Sequence, residues 1–306
     1  MREWALLQHV FGHNAELPDA VTIPPGDDMG GLRIGDRELL VTVDQVADGV
    51  HVNTSTTSLE LIARKLIVRN LSDVAAMAGE PIGAVATACL PRDFGQSRAE
   101  ELFDHLRRIA ANYHCPLIGG DVSMWDQPLL LTMTIFAAPV PDSAAPVLRS
   151  GAKVGDGIYV TGRLGGAWDE QGGGPHLTAE PRLAVARRLA ADAAVQLHAM
   201  IDLSDGLAGD LRHICEQSHA GAEIDAAAVP CRDGAMLQNA LGDGEDYELC
   251  FTTSGKAPAE IDGVAITRIG RVVEAGDPAS RITLVHAGGR REPLAITGWE
   301  HKDRPS

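Results

Sequence analysis

Basic residues are scarce in this 306-residue chain: 26 Lys and Arg stand against 42 Asp and Glu, a formal net charge of −16. With no basic cluster to follow a phosphate backbone, direct nucleic-acid binding is excluded, and an anionic membrane surface is disfavoured on the same ground. Aromatic residues make up only 4%, so the core must be built from aliphatic side chains. The five cysteines (Cys89, Cys115, Cys215, Cys231, Cys250) are odd in number, widely spaced and without a C-x-x-C pair. That speaks against a disulfide framework or a zinc site and for a reducing compartment. The longest apolar run, Leu129 to Val140, contains threonines and a proline and is too short to span a bilayer. Met1-Arg2-Glu3-Trp4 carries an acid early and no long apolar run, so no secretory signal is expected. The expectation is a soluble cytoplasmic protein.

Familiar phosphate cradles and nucleophiles are missing too. There is no G-x-x-x-x-G-K-[ST], and Gly162-Arg163-Leu164-Gly165-Gly166 does not meet G-x-G-x-x-G. H-R-D, D-F-G and G-x-S-x-G are absent, and His9 with His13 lacks the H-E-x-x-H context. An enzyme acting on nucleotides here would have to neutralise phosphates chiefly through metal ions.

What the chain does have is 33 glycines and a strand–helix alternation running its whole length. Strands are predicted over 38–46, 83–90, 129–137, 157–161, 222–224, 247–252, 265–272 and 282–286. Ser58 to Ala78 reads as a helix with Leu59, Ile62, Leu66 and Asn70 on one face, stopped by Gly79 and Pro81. Ser97 to Tyr113 reads as another, with a capping box of Ser97 and Glu100 and a stripe of Leu102, Leu106, Ile109 and Tyr113. Later helices are expected over 181–192 and 205–217. The proline-rich stretch from Pro139 to Pro146 has no periodicity and reads as a linker, dividing the chain into α/β halves at 1–140 and 147–306.

The carboxylates are placed distinctively, at glycine turns and element ends. They occur in Gly26-Asp27-Asp28, Val43-Asp44, Asp48-Gly49-Val50-His51, Asn70-Leu71-Ser72-Asp73, Gly119-Gly120-Asp121, Asp202-Leu203-Ser204-Asp205-Gly206 and Gly244-Glu245-Asp246-Tyr247. Taken singly, most are ordinary turn chemistry, and Ser204 or Asp205 could cap the helix that follows. Asp73 is harder to dismiss. It is an ionisable group in an apolar helical stretch, a buried carboxylate needs a partner, and few Lys or Arg lie nearby in sequence. A hard divalent cation such as Mg²⁺ is the natural alternative.

In this order, together with Arg149-Ser150-Gly151 and the ending Gly298-Trp299-Glu300-His301, the motifs resemble the thiamine-monophosphate kinase family of the aminoimidazole-ribonucleotide-synthetase-like superfamily. The resemblance implies a two-domain α/β (α+β) fold, an active site between the halves and N-terminal sheets pairing across a homodimer. It implies ATP as co-substrate, several Mg²⁺ ions and thiamine monophosphate as acceptor, with no nucleic-acid or membrane partner. Asp28, Thr42, Val43 (by its carbonyl), Asp44, Asp73, Asp121, Asp202 and Asp205 match metal positions, with Asp44, Asp73 and Asp121 expected to carry catalysis. Gly120, Asp121, Arg149 and Ser204 match nucleotide positions, and His51, Glu245 and Trp299 match the acceptor site. Two competing expectations are another ATP-using member of the superfamily and a non-catalytic nucleotide-binding regulator.

Overall fold

The computed structural model describes residues 3–140, 145–169, 172–277, 281–294 and 298. The first half runs α1 (Glu3–Phe11), β1 (Val21–Ile23), β2 (Gly30–Ile34), β3 (Arg37–Ala47), α2 (Leu59–Ala76), β4 (Gly79–Pro91), α3 (Gln96–Asn112), β5 (Leu117–Trp125) and β6 (Leu130–Pro139). Its six strands form one sheet in the order β1-β2-β3-β6-β4-β5, antiparallel except for the β4–β5 pair. Alternation decides which face is covered. Along β6, Leu131, Met133, Ile135 and Ala137 are fully buried while Thr132, Thr134 and Phe136 between them are only half-buried. Ladder partners share a face, so Thr42 and Asp44 of β3 lie on the side of Met133 and Ile135, toward α2.

The second half runs β7 (Gly157–Thr161), α4 (Leu183–Ala191), β8 (Leu197–Asp202), α5 (Leu207–Gln217), β9 (Ala220–Asp225), α6 (Leu237–Gly242), β10 (Leu249–Thr253), β11 (Glu260–Ile261), β12 (Val264–Glu274), β13 (Ile282–Val285) and β14 (Arg291–Pro293). Its sheet orders as β14-β13-β9-β12-β7-β10-β8, with β11 paired to β12. Helix α5 packs on β8, β9 and β10 through Leu207, Leu211 and Ile214.

The halves are not independent balls. Helix α2 packs against α3 on one flank and against α4 and β8 of the second half on another. One apolar cluster joins its Ile62, Leu66 and Leu71 to Leu183, Leu189 and Met200. At about 1.5–3 kcal/mol for each fully buried large aliphatic, this packing fixes both halves against one helix. Even Lys65 is buried in α2, at 1% exposure.

Two expectations need correcting. The capping box at Ser97 does not form: α3 is capped by Gly95, whose φ of 83° glycine tolerates, and Glu100 instead accepts from Gln96 Nε2 at 2.8 Å. Neither Ser204 nor Asp205 caps α5, whose N-cap is Gly206 without a side-chain bond. The nine-residue strand β5 has no counterpart among the predicted strands, because its Gly119-Gly120-Asp121 reads as a turn. The glycine serves close approach instead: a Cβ on Gly120 would collide with the Ala86 carbonyl oxygen of β4.

Candidate active site

Three carboxylates from distant parts of the chain converge at the seam between the halves. Asp73 comes from the last turn of α2, Asp202 from the end of β8 and Asp28 from the loop between β1 and β2. One oxygen of each lies within 4.8 Å of the others. Asp73 Oδ2 accepts from the Thr42 hydroxyl of β3, whereas Asp28 Oδ2 is buried and makes no hydrogen bond. Burial first, then repulsion from Asp28, pushes the Asp202 carboxyl up to about 8. Burial and then Asp202, Asp44 and Asp28 push Asp73 well above the usual range. Packed like charges with an orphaned buried oxygen are costly unless something positive lies between them. An all-oxygen donor set of this kind suits a hard divalent cation such as Mg²⁺.

Two arginines come in from far away in sequence. Arg149 donates from Nη2 to Asp28 Oδ1 at 2.8 Å and from Nη1 to the Gly26 carbonyl at 3.2 Å. Its backbone N–H donates to Asp27, and its buried Nε has no partner. Burial and then Asp28 hold the Asp27 carboxyl up at about 6. On α2, Arg69 Nε lies 3.0 Å from Asp44 Oδ2, and Nη1 donates to the Gln45 carbonyl at 2.9 Å. The scarcity of cations near the acidic motifs therefore holds in sequence but not in space.

The turn Asp243–Tyr247 lies against the Ser204–Gly206 loop, through Glu245 N–H to the Ser204 carbonyl at 2.7 Å and Tyr247 N–H to the Leu203 carbonyl at 2.9 Å. Glu245 and Tyr247 both hold a left-handed backbone, φ 55° and 52°, which non-glycine residues adopt only when their surroundings enforce it. Between them, buried Asp246 accepts from the Gly165 N–H at 2.9 Å and pairs with Arg232. Asp246 is thus a fastener of the turn, and Glu245 is what the turn presents. Glu245 Oε2 receives the Lys65 ammonium at 2.6 Å.

Two cavities meet here. One of about 860 Å³ is lined by Phe11 of α1, Pro25, Asp27, Arg149 and the α5 residues Asp210 and His213. The other, about 670 Å³, is lined by Asp44, His51, Arg69, Asp73, Asp202 and Glu245, among others. Ser204 and Asp205 line both. His51, buried beside this second cavity, accepts the Ala47 N–H on Nδ1 at 3.1 Å, so its ring proton is on Nε2.

Of the sequence-predicted site residues, Asp28, Thr42, Asp44, Asp73, Asp202, Asp205, Arg149, Ser204, His51 and Glu245 are gathered at this seam. The Val43 side chain, 60% exposed, is on the opposite face of β3 from Thr42, leaving only its carbonyl as a donor. Gly120 and Asp121 are not brought to the cluster within the chain. They lie on exposed edge strand β5, three strand positions from Asp44 by way of Met133 and Ala86, roughly 14 Å at ordinary strand spacing. Asp121 also pairs with Thr87, on the face away from α2. Trp299 lies outside the described residues. Sequence reasoning missed Arg69, Lys65, Tyr247 and Trp168, which border or back the second cavity. Lys65 left no distinct signal, since Arg64 and Arg69 are charges of the same kind on the same helix and only the fold buries Lys65.

Both halves of the chain match the AIR synthase related proteins. The chain belongs to that family: its N-terminal domain model matches residues 26–138 and its C-terminal domain model residues 153–282. Within it, the chain belongs with the thiamine-monophosphate kinases. It is 35% identical over 293 residues to the thiamine-monophosphate kinase of Rhodopirellula baltica, covering 89% of each chain. A solved thiamine-monophosphate kinase from Stenotrophomonas maltophilia K279a superposes with a TM-score of 0.68 at 28% identity, covering 92% of this chain and 96% of the other. The fold is also that of AaThiL complexed with AMPPCP and TMP, at a TM-score of 0.79, 24% identity and coverage of 98% and 97%.

Proposed function

We propose that this protein phosphorylates thiamine monophosphate to thiamine diphosphate, with ATP as donor and Mg²⁺ as cofactor. The observation that carries the reading is the meeting of two cavities at Ser204–Asp205, with Asp73 and Asp202 of the carboxylate cluster lining the smaller one. A donor phosphate chain entering from the larger cavity and an acceptor phosphate from the smaller would meet there in line. The names of the family's curated members agree with it. Asp28, Asp73 and Asp202 would hold the metal, with Thr42, Asp44, Asp205 and the Val43 carbonyl as further candidate donors. Bound there, Mg²⁺ supplies the charge neutralisation that two approaching polyanions require.

The chain's own residues do the rest. Arg149, anchored on Gly26 and Asp28, stands at the wall of the donor cavity, and Ser204 stands at the junction. His51 stands at the wall of the acceptor cavity, with Glu245 lining the same cavity. No general base is needed, since a phosphate monoester has its second pKa near 6 and is already largely a dianion at pH 7. The absence of a histidine–nucleophile pair from the motifs fits direct transfer.

Gly120 and Asp121 enter this scheme through a second copy of the chain. Edge strand β5 exposes Ile118, Val122 and Met124, at 66%, 53% and 57%. An apolar edge of this length invites pairing, and a homodimer formed along it would bring one protomer's Asp121 toward the partner's site. The domains follow as 1–140 for metal and ATP binding and dimerisation and 147–306 for the second α/β unit. Among the described residues no helix is long and apolar enough to cross a membrane, and the five cysteines are free thiols. The reading places the enzyme in the reducing cytoplasm.

The deciding assay supplies purified protein with ATP, Mg²⁺ and thiamine monophosphate and follows thiamine diphosphate against other phosphorylated acceptors. ATP turnover only with a different acceptor would overturn the substrate while leaving the phosphoryl-transfer chemistry in place.

A further inference from the structure

Trp168 belongs to none of the motifs; it lies in the loop between β7 and α4. Its half-buried indole borders the 670 Å³ cavity beside His51, Glu245 and Tyr247. The His176 ring stacks on it with 3.9 Å between centroids and 15° between planes. The Lys65 ammonium stands 4.8 Å from the indole centroid. Lys65 is itself held by Glu245 Oε2 at 2.6 Å and His176 Nδ1 at 2.5 Å. The props are buried, Lys65 and His176 each at 1% exposure, while the ring they support meets the cavity. Burial and the neighbouring lysine push His176 down to about 3, so the stacked imidazole is neutral at physiological pH.

This is a rigid aromatic surface in an acidic chamber. Asp44, Asp73, Asp202, Asp205 and Asp243 line the same cavity, and among the described residues Arg69 is the one Lys or Arg that lines it. A neutral aliphatic ligand gains nothing from such surroundings. A flat, positively charged heteroaromatic ring gains from the indole face, and from Asp243 and Glu245, the lining carboxylates that the proposed metal does not claim. His176 occupies one indole face, and Trp168 lines the cavity.

We infer that Trp168 is the stacking wall of the acceptor pocket, selecting acceptors that carry a cationic aromatic ring. The inference rests on the proposed function, in which thiamine monophosphate, a thiazolium, is the acceptor, and adds a specificity-determining residue to it. Because stacking holds the ring alike before and during transfer, its loss should appear in KM rather than kcat.

The test compares wild type with Trp168→Leu, which keeps apolar volume but removes the π face, and with Trp168→Phe, which restores one. The expected result for Trp168→Leu is a KM for thiamine monophosphate raised about tenfold, with kcat and the KM for ATP within about twofold. Trp168→Phe should return to within about threefold of wild type. Equal KM values in wild type and Trp168→Leu would overturn the inference, as would a loss confined to kcat. Calorimetric titration with unphosphorylated thiamine separates the two claims. If wild type does not phosphorylate thiamine monophosphate, the acceptor assignment fails. Stacking is then upheld if thiamine binds wild type about tenfold more tightly than Trp168→Leu. It is overturned if the two bind alike or wild type does not bind it.

Discussion

Asp73 and Asp121 sit in similar stretches of sequence and in opposite physical situations. Both are aspartates that follow small residues in otherwise apolar stretches. Asp73 is carried by a helix buried on almost every side, bonded to Thr42 and crowded by Asp28 and Asp202. Asp121 stands on an open sheet edge, roughly 14 Å from Asp44 across the strands. The first has a complete environment within one chain and the second does not. The difference teaches that equal motif strength says nothing about where in the fold a residue lands.

The sharpest way to break the comparison is at its buried end. Asp73→Asn should lower kcat by on the order of 10³-fold or more, since a metal-facing charge is lost where phosphate charge must be neutralised. Its melting temperature without Mg²⁺ should hold or rise, because a neutral amide replaces a carboxyl that burial already disfavours as an anion. Steady-state kinetics and a thermal melt check both halves. A folded variant with near-normal activity would falsify the metal-cluster assignment.

At the open end, Asp121→Asn should cost about 10²-fold in kcat while leaving the melt unchanged. Mixing the two inactive variants then asks which chain Asp121 serves. If it acts on the partner's site, random dimers rebuild one intact site in half of the pairs, and about a quarter of wild-type activity returns. Should the mixture stay inactive after subunit exchange, Asp121 acts within its own chain and the roughly 14 Å gap must close some other way.

Acidity separates the two regions next. In the metal-free fold Asp202 keeps its proton up to about 8, whereas the unfolded chain releases it near 3.8. The native state therefore binds more protons than the unfolded state between these values, and stability falls as pH rises through that window. Mg²⁺ competes for the same oxygens as the proton, so its gain in melting temperature should grow from pH 4 to pH 8. Asp202→Asn should flatten both trends, and Asp121→Asn should flatten neither. Melting curves across that range, with EDTA or with Mg²⁺, decide it.

How far the chain could be read in advance follows the same division. The long strands β3, β4 and β6 and the helices α2 and α3 were legible, because apolar periodicity over ten or more residues reports a face that must be buried. Strand β5 was not, since glycine for close approach and glycine for a turn are written with the same letter. The carboxylates of the seam were legible as a set through the family resemblance. Their counter-charges were not: Arg149 reaches Asp28 across 121 residues, and Lys65 reaches Glu245 across 180. Such pairings are fixed by packing of whole elements, which no local pattern records. Trp168 lay in a glycine-rich stretch with no periodicity, and only the fold reveals the His176 ring stacked on it.

The smallest effect belongs to the charge pair that ties β5 to β4. Arg92 Nε donates to Asp126 Oδ1 at 2.7 Å, just beyond the ends of the two strands, with side chains 65% and 78% exposed. A pair so open to water is screened and must order two flexible side chains, and such pairs contribute about 0–1 kcal/mol. Asp126→Ala should therefore shift the melting temperature by no more than about 2–4 °C and leave kcat unchanged. Lys65→Met offers the contrast: it removes the fully buried partner of Glu245, and breaking a buried pair costs up to about 3–5 kcal/mol. A drop for Asp126→Ala as large as that for Lys65→Met would mean that β5 depends on its end contacts. What holds it is the backbone ladder to β4, which runs from Leu117 to Trp125 and in which Gly120 lets the chains touch at Ala86.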